Sequence, residues 1–282
     1  MSQDSLIIKI AGFCVEVKTG SRKSFVYLGP RFKGFFTKSK PDFVVRVGEN
    51  EQYINLGDVS TIEKRGRKIF CAAKVKSCRK DKSFGKRQLS CNQTEIGFID
   101  LENRIAEIDL SKKDEAFIIP SFLRVILGSY LASNYGMLVH ACGVVKDGKG
   151  YLFVGAPDSG KSTVAKASKG LRVLSDDCIC LRKVNGNFYI FGTPWAPYSS
   201  NGSGLLRRIF FLRKGKTLEF RKMAVPKLMQ GLFWHGRFTH LNFSFTKGIL
   251  NTISEIATTI PSYEMHFSLN DNIWEGIERW EI

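Results

Sequence analysis

Gly155-Ala156-Pro157-Asp158-Ser159-Gly160-Lys161-Ser162-Thr163 sets two glycines, a lysine and adjacent hydroxyls at the spacing G-x-x-x-x-G-K-[ST], and Asp176 and Asp177 follow closely. These residue types suit the binding and transfer of nucleotide phosphate. Backbone N–H groups around Ser159 and Gly160 can wrap a β-phosphate, and the N-terminus of a following helix adds partial positive charge. Lys161 can reach the β- and γ-phosphates, and the Ser162 hydroxyl can ligate Mg²⁺. Phosphoryl transfer also needs a carboxylate for the metal and a base beside the nucleophile, which is what an acidic pair next to such a loop offers.

The elements around these residues have to place them on one edge. Tyr151 to Val154 is a short apolar run that reads as a buried strand, and Lys161 to Ser168 reads as the first turns of a helix. Gly170 ends that helix and Leu171 to Leu174 forms another strand, so Asp176 and Asp177 sit at its C-terminal end. Upstream, Val125 to Val145 carries no Asp, Glu, Lys or Arg and is long enough to span a membrane. Its polar residues, three glycines and changing periodicity argue against a span. The pattern gives a helix after Pro120 as a first-turn residue, a stop at Asn134 to Gly136, and one strand over Met137 to Val145. Asn185-Gly186 between Cys178–Val184 and Asn187–Phe191 is a two-residue hairpin signal. Further on, Arg207 to Arg213 reads as a strand, Pro226–Phe233 and Phe245–Ile260 as amphipathic helices, and Tyr263, Met265 and Phe267 as an alternating strand. Asn270 or Asp271 would cap a last helix containing Ile273, Trp274 and Ile277.

The 282 residues suffice for one large domain or two smaller ones. Forty-three Lys and Arg against 26 Asp and Glu give a net charge of +17, which points to an anionic partner: nucleotide, acidic peptide, nucleic acid or phospholipid. Cys71, Cys78 and Cys91 are spaced too loosely for a zinc site, so the seven cysteines read as reduced and structural. The N-terminus has no signal-peptide pattern, which makes the cytoplasm the expected compartment.

Taken together, Leu138-Val139-His140-Ala141-Cys142, the phosphate loop and Leu174-Ser175-Asp176-Asp177 resemble the core of HPr kinase/phosphorylase and its relatives. That family is similar in fold to ATP-dependent phosphoenolpyruvate carboxykinase. Gly192-Thr193-Pro194-Trp195 and the strand Arg207 to Arg213 resemble the shorter HPr-kinase-related proteins. The resemblance covers residues 116 to 282, most closely 137 to 177. It implies a mixed α/β (α+β) chain with a P-loop core, ATP and Mg²⁺ as cofactors, and transfer to a serine hydroxyl. One of Asp176 and Asp177 would hold Mg²⁺ and the other would take the hydroxyl proton; the resemblance does not say which. His140 would lie near the transferred phosphate. Family members tend to assemble into oligomers, although this sequence fixes no symmetry. Residues 192 to 206 contain neither Glu nor Asp, so the glutamate and arginine signature of the HPr enzymes is missing and phosphorylase activity is not implied. Arg207, Arg208 and Arg213 are candidates for stabilising phosphoryl charge.

Residues 1 to 115 read as a β-rich region, with runs at Ile7–Val17, Ser24–Leu28, Phe43–Val47 and Ile96–Leu101. Lys64 to Arg87 holds eleven Lys or Arg and one acid, Asp81, a face suited to an acidic peptide and, less so, to nucleic acid. The leading reading is a kinase acting on a protein or peptide serine, with residues 1–115 helping to recognise the substrate and 116–282 catalysing. The alternatives are a kinase for a small hydroxylated molecule such as free serine, and a non-enzymatic, nucleotide-gated regulator that binds a polyanion or protein.

Overall fold

The computed structural model describes residues 4–19, 28–49, 59–64, 67–74, 92–110, 115–237, 243–268 and 271–281. They fall into two compact units, Met1–Ile8 with Cys14–Ile126 and Lys9–Phe13 with Leu127–Ile282. The fold is mixed α/β.

The first unit is built on a seven-stranded sheet of β1 (Asp4–Ile10), β2 (Phe13–Thr19), β3 (Phe43–Glu49), β4 (Val59–Lys64), β5 (Arg67–Lys74), β6 (Asn92–Asp100) and β7 (Ile105–Leu110), in the order β1-β2-β3-β7-β6-β5-β4. Strand β3 runs parallel to both β2 and β7, while β7, β6, β5 and β4 are antiparallel neighbours. A parallel pair needs a long crossover, and the chain between β2 and β3 supplies it with Leu28, Phe32 and Phe35 buried. Leu28 is helical rather than the end of a strand, and Ser24 to Tyr27 lie outside the described residues. So does most of the basic run from Lys64 to Arg87, as do Cys78 and Cys91.

The second unit holds nine strands: β8 (Gly136–Val139), β9 (Ala141–Lys146), β10 (Lys149–Val154), β11 (Arg172–Ser175), β12 (Ile179–Val184), β13 (Asn187–Phe191), β14 (Ser203–Lys214), β15 (Glu219–Lys222) and β16 (Ser262–Phe267). Its helices are α1 (Glu115–Ser133), whose start belongs to the first unit, α2 (Lys161–Ala167), α3 (Val225–His235), α4 (Phe243–Thr259) and α5 (Ile273–Glu281). Strand order is β11-β9-β10-β14-β13-β12-β8, with β16 on β14 and β15 on β16. Strand β10 is buried on both faces, as expected for a parallel neighbour of β14. Leu152 and Val154 pack with Leu228, Leu232, Ile249 and Ile253 of α3 and α4. Tyr151 and Phe153 pack with Val164 of α2 and with Ile273, Trp274 and Ile277 of α5. Trp274 Nε1 donates to Ser168 Oγ at 3.0 Å, which ties α5 to the end of α2.

Further local expectations are corrected: the run Ile7–Val17 is two strands, β1 and β2, turned at Ala11 and Gly12. Pro120 lies inside α1 rather than in its first turn, because the helix begins at Glu115; the ring removes the N–H that would bond the Ala116 carbonyl. The run Met137–Val145 is two strands broken at His140, not one. The last helix is capped by Asn272, whose Oδ1 accepts from the Glu275 N–H at 3.3 Å, whereas Asp271 Oδ2 accepts from the Ser268 N–H and Asn270 is outside the described residues. No described helix is long and apolar enough to cross a membrane.

Candidate active site

Two breaks in the sheet face one another. Strand β8 pairs with β12 through Val139 opposite Ile179, and β9 pairs with β11 through Gly143 opposite Ser175. His140 therefore lies across from the gap that holds Asp176 and Asp177, and ladder bonds there are replaced by irregular ones. The Ala141 N–H donates to the Asp177 carbonyl at 3.2 Å. The Ser175 hydroxyl, fully buried, accepts from the N–H groups of Asp177 and Cys178 at 3.3 Å each, a serine turn that swings the two carboxylates out of strand geometry. Thr193 Oγ1 closes the far side by donating to the Cys178 carbonyl at 2.6 Å.

The neighbouring edge carries the loop between β10 and α2. Asp158 at φ 61° and Gly160 at φ 106° are both left-handed, a backbone alternation of the kind that builds anion nests. A side chain at Gly160 would crowd Phe267, since a Cβ would meet its Cζ at 2.6 Å. At Gly155 a Cβ would meet Ser159 Oγ at 2.2 Å, so the glycine gives that hydroxyl its room. Ser159 Oγ is buried with no hydrogen-bond partner. Lys161 is only 7% exposed, and its ammonium donates to the Gly155 and Ala156 carbonyls at 2.8 Å each. Burial pushes this lysine below its ordinary value, with the Asp177 carboxylate pulling the other way. Pro157 lies exposed between these contacts, and Thr163 follows Ser162 on the first turn of α2.

The acidic pair divides its partners. Ser162 Oγ donates to Asp176 Oδ2 at 3.1 Å, while Asp176 Oδ1 is buried without a hydrogen-bond partner. An orphaned carboxylate oxygen beside a hydroxyl is the oxygen-donor set that suits a hard cation such as Mg²⁺. Asp177 Oδ1 instead lies 3.0 Å from His140 Nδ1 and 3.2 Å from Arg237 Nη2. His140 Nδ1 is also 2.8 Å from the Asp177 carbonyl and 2.8 Å from Arg237 Nη2. One nitrogen cannot serve both sets, and the two oxygens favour the tautomer protonated at Nδ1. Arg237 then directs its N–H to Asp177 Oδ1.

Arg237 is the site residue that sequence reading missed. The end of α3 delivers it: the His140 N–H donates to the His235 carbonyl at 2.8 Å, Gly236 bridges to Val139, and the Arg237 N–H donates to the Leu138 carbonyl at 2.9 Å. Its one sequence-level signal is a Gly-Arg step after an amphipathic helix, which is shared by many loops. His235 packs its ring against Phe211, and burial together with the charges of His140, Lys161, Arg213 and Arg237 holds it below the ordinary histidine value. Two of the three candidate arginines of β14 are engaged elsewhere. Arg208 lies over the rings of Tyr263 and Trp280, Arg213 pairs with Glu264 at 3.2 Å, and Arg207 is exposed. Cys142, Cys178 and Cys180 are buried and form no disulfide, and burial pushes the Cys142 thiol up, which disfavours a thiolate there.

No protein-family model matches this chain, and no curated protein matches it. Among solved structures it is similar to the HPr(Ser) kinase/phosphatase from Coxiella burnetii, at 16% identity and a TM-score of 0.31 over 50% of this chain and 86% of that one. At that level the functional reading rests on the geometry of this chain's own residues.

Proposed function

We propose that the second unit is an ATP- and Mg²⁺-dependent kinase that transfers the terminal phosphate to a hydroxyl, the serine of a protein or peptide. The observation that carries this reading is the split of the acidic pair. Asp176 turns to Ser162 at the loop, and Asp177 turns to His140 and Arg237 one residue away. Residues 155–163 act as the phosphate loop, and Lys161 exchanges its two carbonyl partners for phosphate oxygens. Ser162 Oγ and Asp176 would hold the cation; among the described residues no group of three or more His, Cys, Asp or Glu offers an all-protein cage. When bound, Mg²⁺ neutralises charge on the β- and γ-phosphate oxygens.

On the other side, Asp177 accepts the proton of the attacking hydroxyl at a carboxylate oxygen. Arg237 and His140 fix the orientation of that carboxylate, and the Arg237 guanidinium adds positive charge where phosphoryl charge develops. The basic first unit is proposed to help select the acceptor.

The test is incubation of the purified chain with terminally labelled ATP, Mg²⁺ and extract of its own host, with Lys161→Ala as control. Label in a protein band that disappears with the variant supports the reading. Equal labelling with both proteins removes it, and label in a small molecule would replace the protein acceptor by a small one.

A further inference from the structure

The phosphate loop fills its own centre. The Lys161 ammonium donates to the Gly155 and Ala156 carbonyls at 2.8 Å each, and the Ser159 N–H, one of the groups suited to a β-phosphate, donates to the same Ala156 carbonyl at 3.2 Å. A phosphate oxygen and a carbonyl oxygen are both acceptors, so they compete for these N–H groups. Phosphate that takes both donors displaces the Ala156 carbonyl, and the loop has to open for it.

The self-bonded loop is opposed at one atom. Ser159 Oγ is shut off from solvent and has no hydrogen-bond partner. A Cβ placed on Gly155 would meet that oxygen at 2.2 Å and Leu212 Cβ at 3.4 Å, so the hydroxyl is folded in behind the start of the loop, toward the buried Leu212 of β14. A hydroxyl buried without a partner works against the conformation that buries it, and an opening that returns it to water or to an acceptor removes the penalty. The bonds that hold the loop shut and the group that favours its opening thus lie in the same turn.

We propose that Ser159 is a built-in release for the phosphate loop: its unpaired hydroxyl raises the free energy of the self-bonded form and so keeps the open, nucleotide-accepting form accessible. This inference rests on the nucleotide-binding part of the kinase reading above and adds a control of that same site. When only a fraction of a protein is competent to bind, its apparent affinity falls with that fraction. Ser159→Ala removes the unpaired oxygen and leaves the backbone N–H and the Lys161 bonds in place, so it deepens the closed form. Nucleotide then waits longer for an open loop, while its escape from the bound form is unchanged.

Two measurements on the full chain, wild type and Ser159→Ala, test it: stopped-flow fluorescence with methylanthraniloyl-ATP and Mg²⁺, and calorimetric melting without nucleotide. Ser159→Ala should bind the nucleotide about tenfold more weakly, through association about tenfold slower and dissociation within about twofold of the wild type. It should also melt about 3–5 °C higher. Both shifts read one free energy, tenfold in affinity being ~1.4 kcal/mol, so they have to agree. Weaker binding through faster dissociation, with melting unchanged, would make Ser159 Oγ a direct phosphate ligand and overturn the release. Equal binding by the two proteins, or a lower melting temperature for Ser159→Ala, overturns it as well. Those results leave the kinase reading standing, whereas failure of both proteins to bind the nucleotide removes that reading together with the release.

Discussion

Replacing Gly160 with alanine probes the loop that everything else depends on. At φ 106° an L-residue is strained, and the new Cβ would lie 2.6 Å from Phe267 Cζ. The backbone cost is ~1–2 kcal/mol, and wedging a methyl against a packed ring costs ~1–3 kcal/mol. Stiffening of the unfolded chain returns up to ~1 kcal/mol, so the net loss is about 2–4 kcal/mol. For a unit of this size that corresponds to a fall in Tm of roughly 5–15 °C. Differential scanning calorimetry of the wild type, Gly160→Ala, Phe267→Leu and the double variant separates the two contributions. Because leucine lacks the Cζ atom, Gly160→Ala should cost about 1–2 kcal/mol less in the Phe267→Leu background, while the backbone part persists. A Gly160→Ala melting shift below about 2 °C, or strictly additive variants, would refute the packing argument.

The acidic pair should separate by phenotype: Asp176→Asn should remove the tightening of ATP binding by Mg²⁺ in calorimetry, whereas Asp177→Asn should keep it and lower transfer by roughly 10²–10⁴-fold. Exchange of those two behaviours would reverse the assignment. Arg237→Ala should cut transfer at least about tenfold and change stability by less than about 1 kcal/mol, as its ion pair with Asp177 is half-exposed; a large melting shift with normal transfer would mark it as merely structural. His235 is held below the ordinary value of 6.5 by burial and neighbouring cations, so between that lowered value and 6.5 the unfolded chain binds a proton that the folded chain refuses. Stability is then full above 6.5 and declines as pH falls through that window, and His235→Gln should flatten the melting temperature between about pH 7 and 5.

Local signals in the sequence were enough for the hairpin and the loop. Asn185 and Gly186 take φ 47° and 82°, as the Asn-Gly pair requires, and strand β10, the loop and α2 follow in the order that Gly160-Lys161-Ser162 demands. The break at His140 was not legible, because Leu138, Val139, Ala141 and Cys142 make one apolar run. What interrupts it is distant chain: the His235 carbonyl takes the His140 N–H and the Asp177 carbonyl takes that of Ala141. Arg237 was hidden for the same reason, with its partner Asp177 far away in sequence. Apolar alternation marked several of the strands; tertiary hydrogen bonds decide where they stop.

The central claim is that Asp177 receives the proton of an acceptor hydroxyl while Asp176 and the loop hold the nucleotide. Its most direct test is quantitative transfer of terminal phosphate from ATP into host extract by the wild type and Asp177→Ala, with Mg²⁺-dependent ATP affinity measured on the same preparations. The account predicts equal affinities and label only with the wild type. Equal label from both proteins, or full ATP affinity with no label from either, would contradict it.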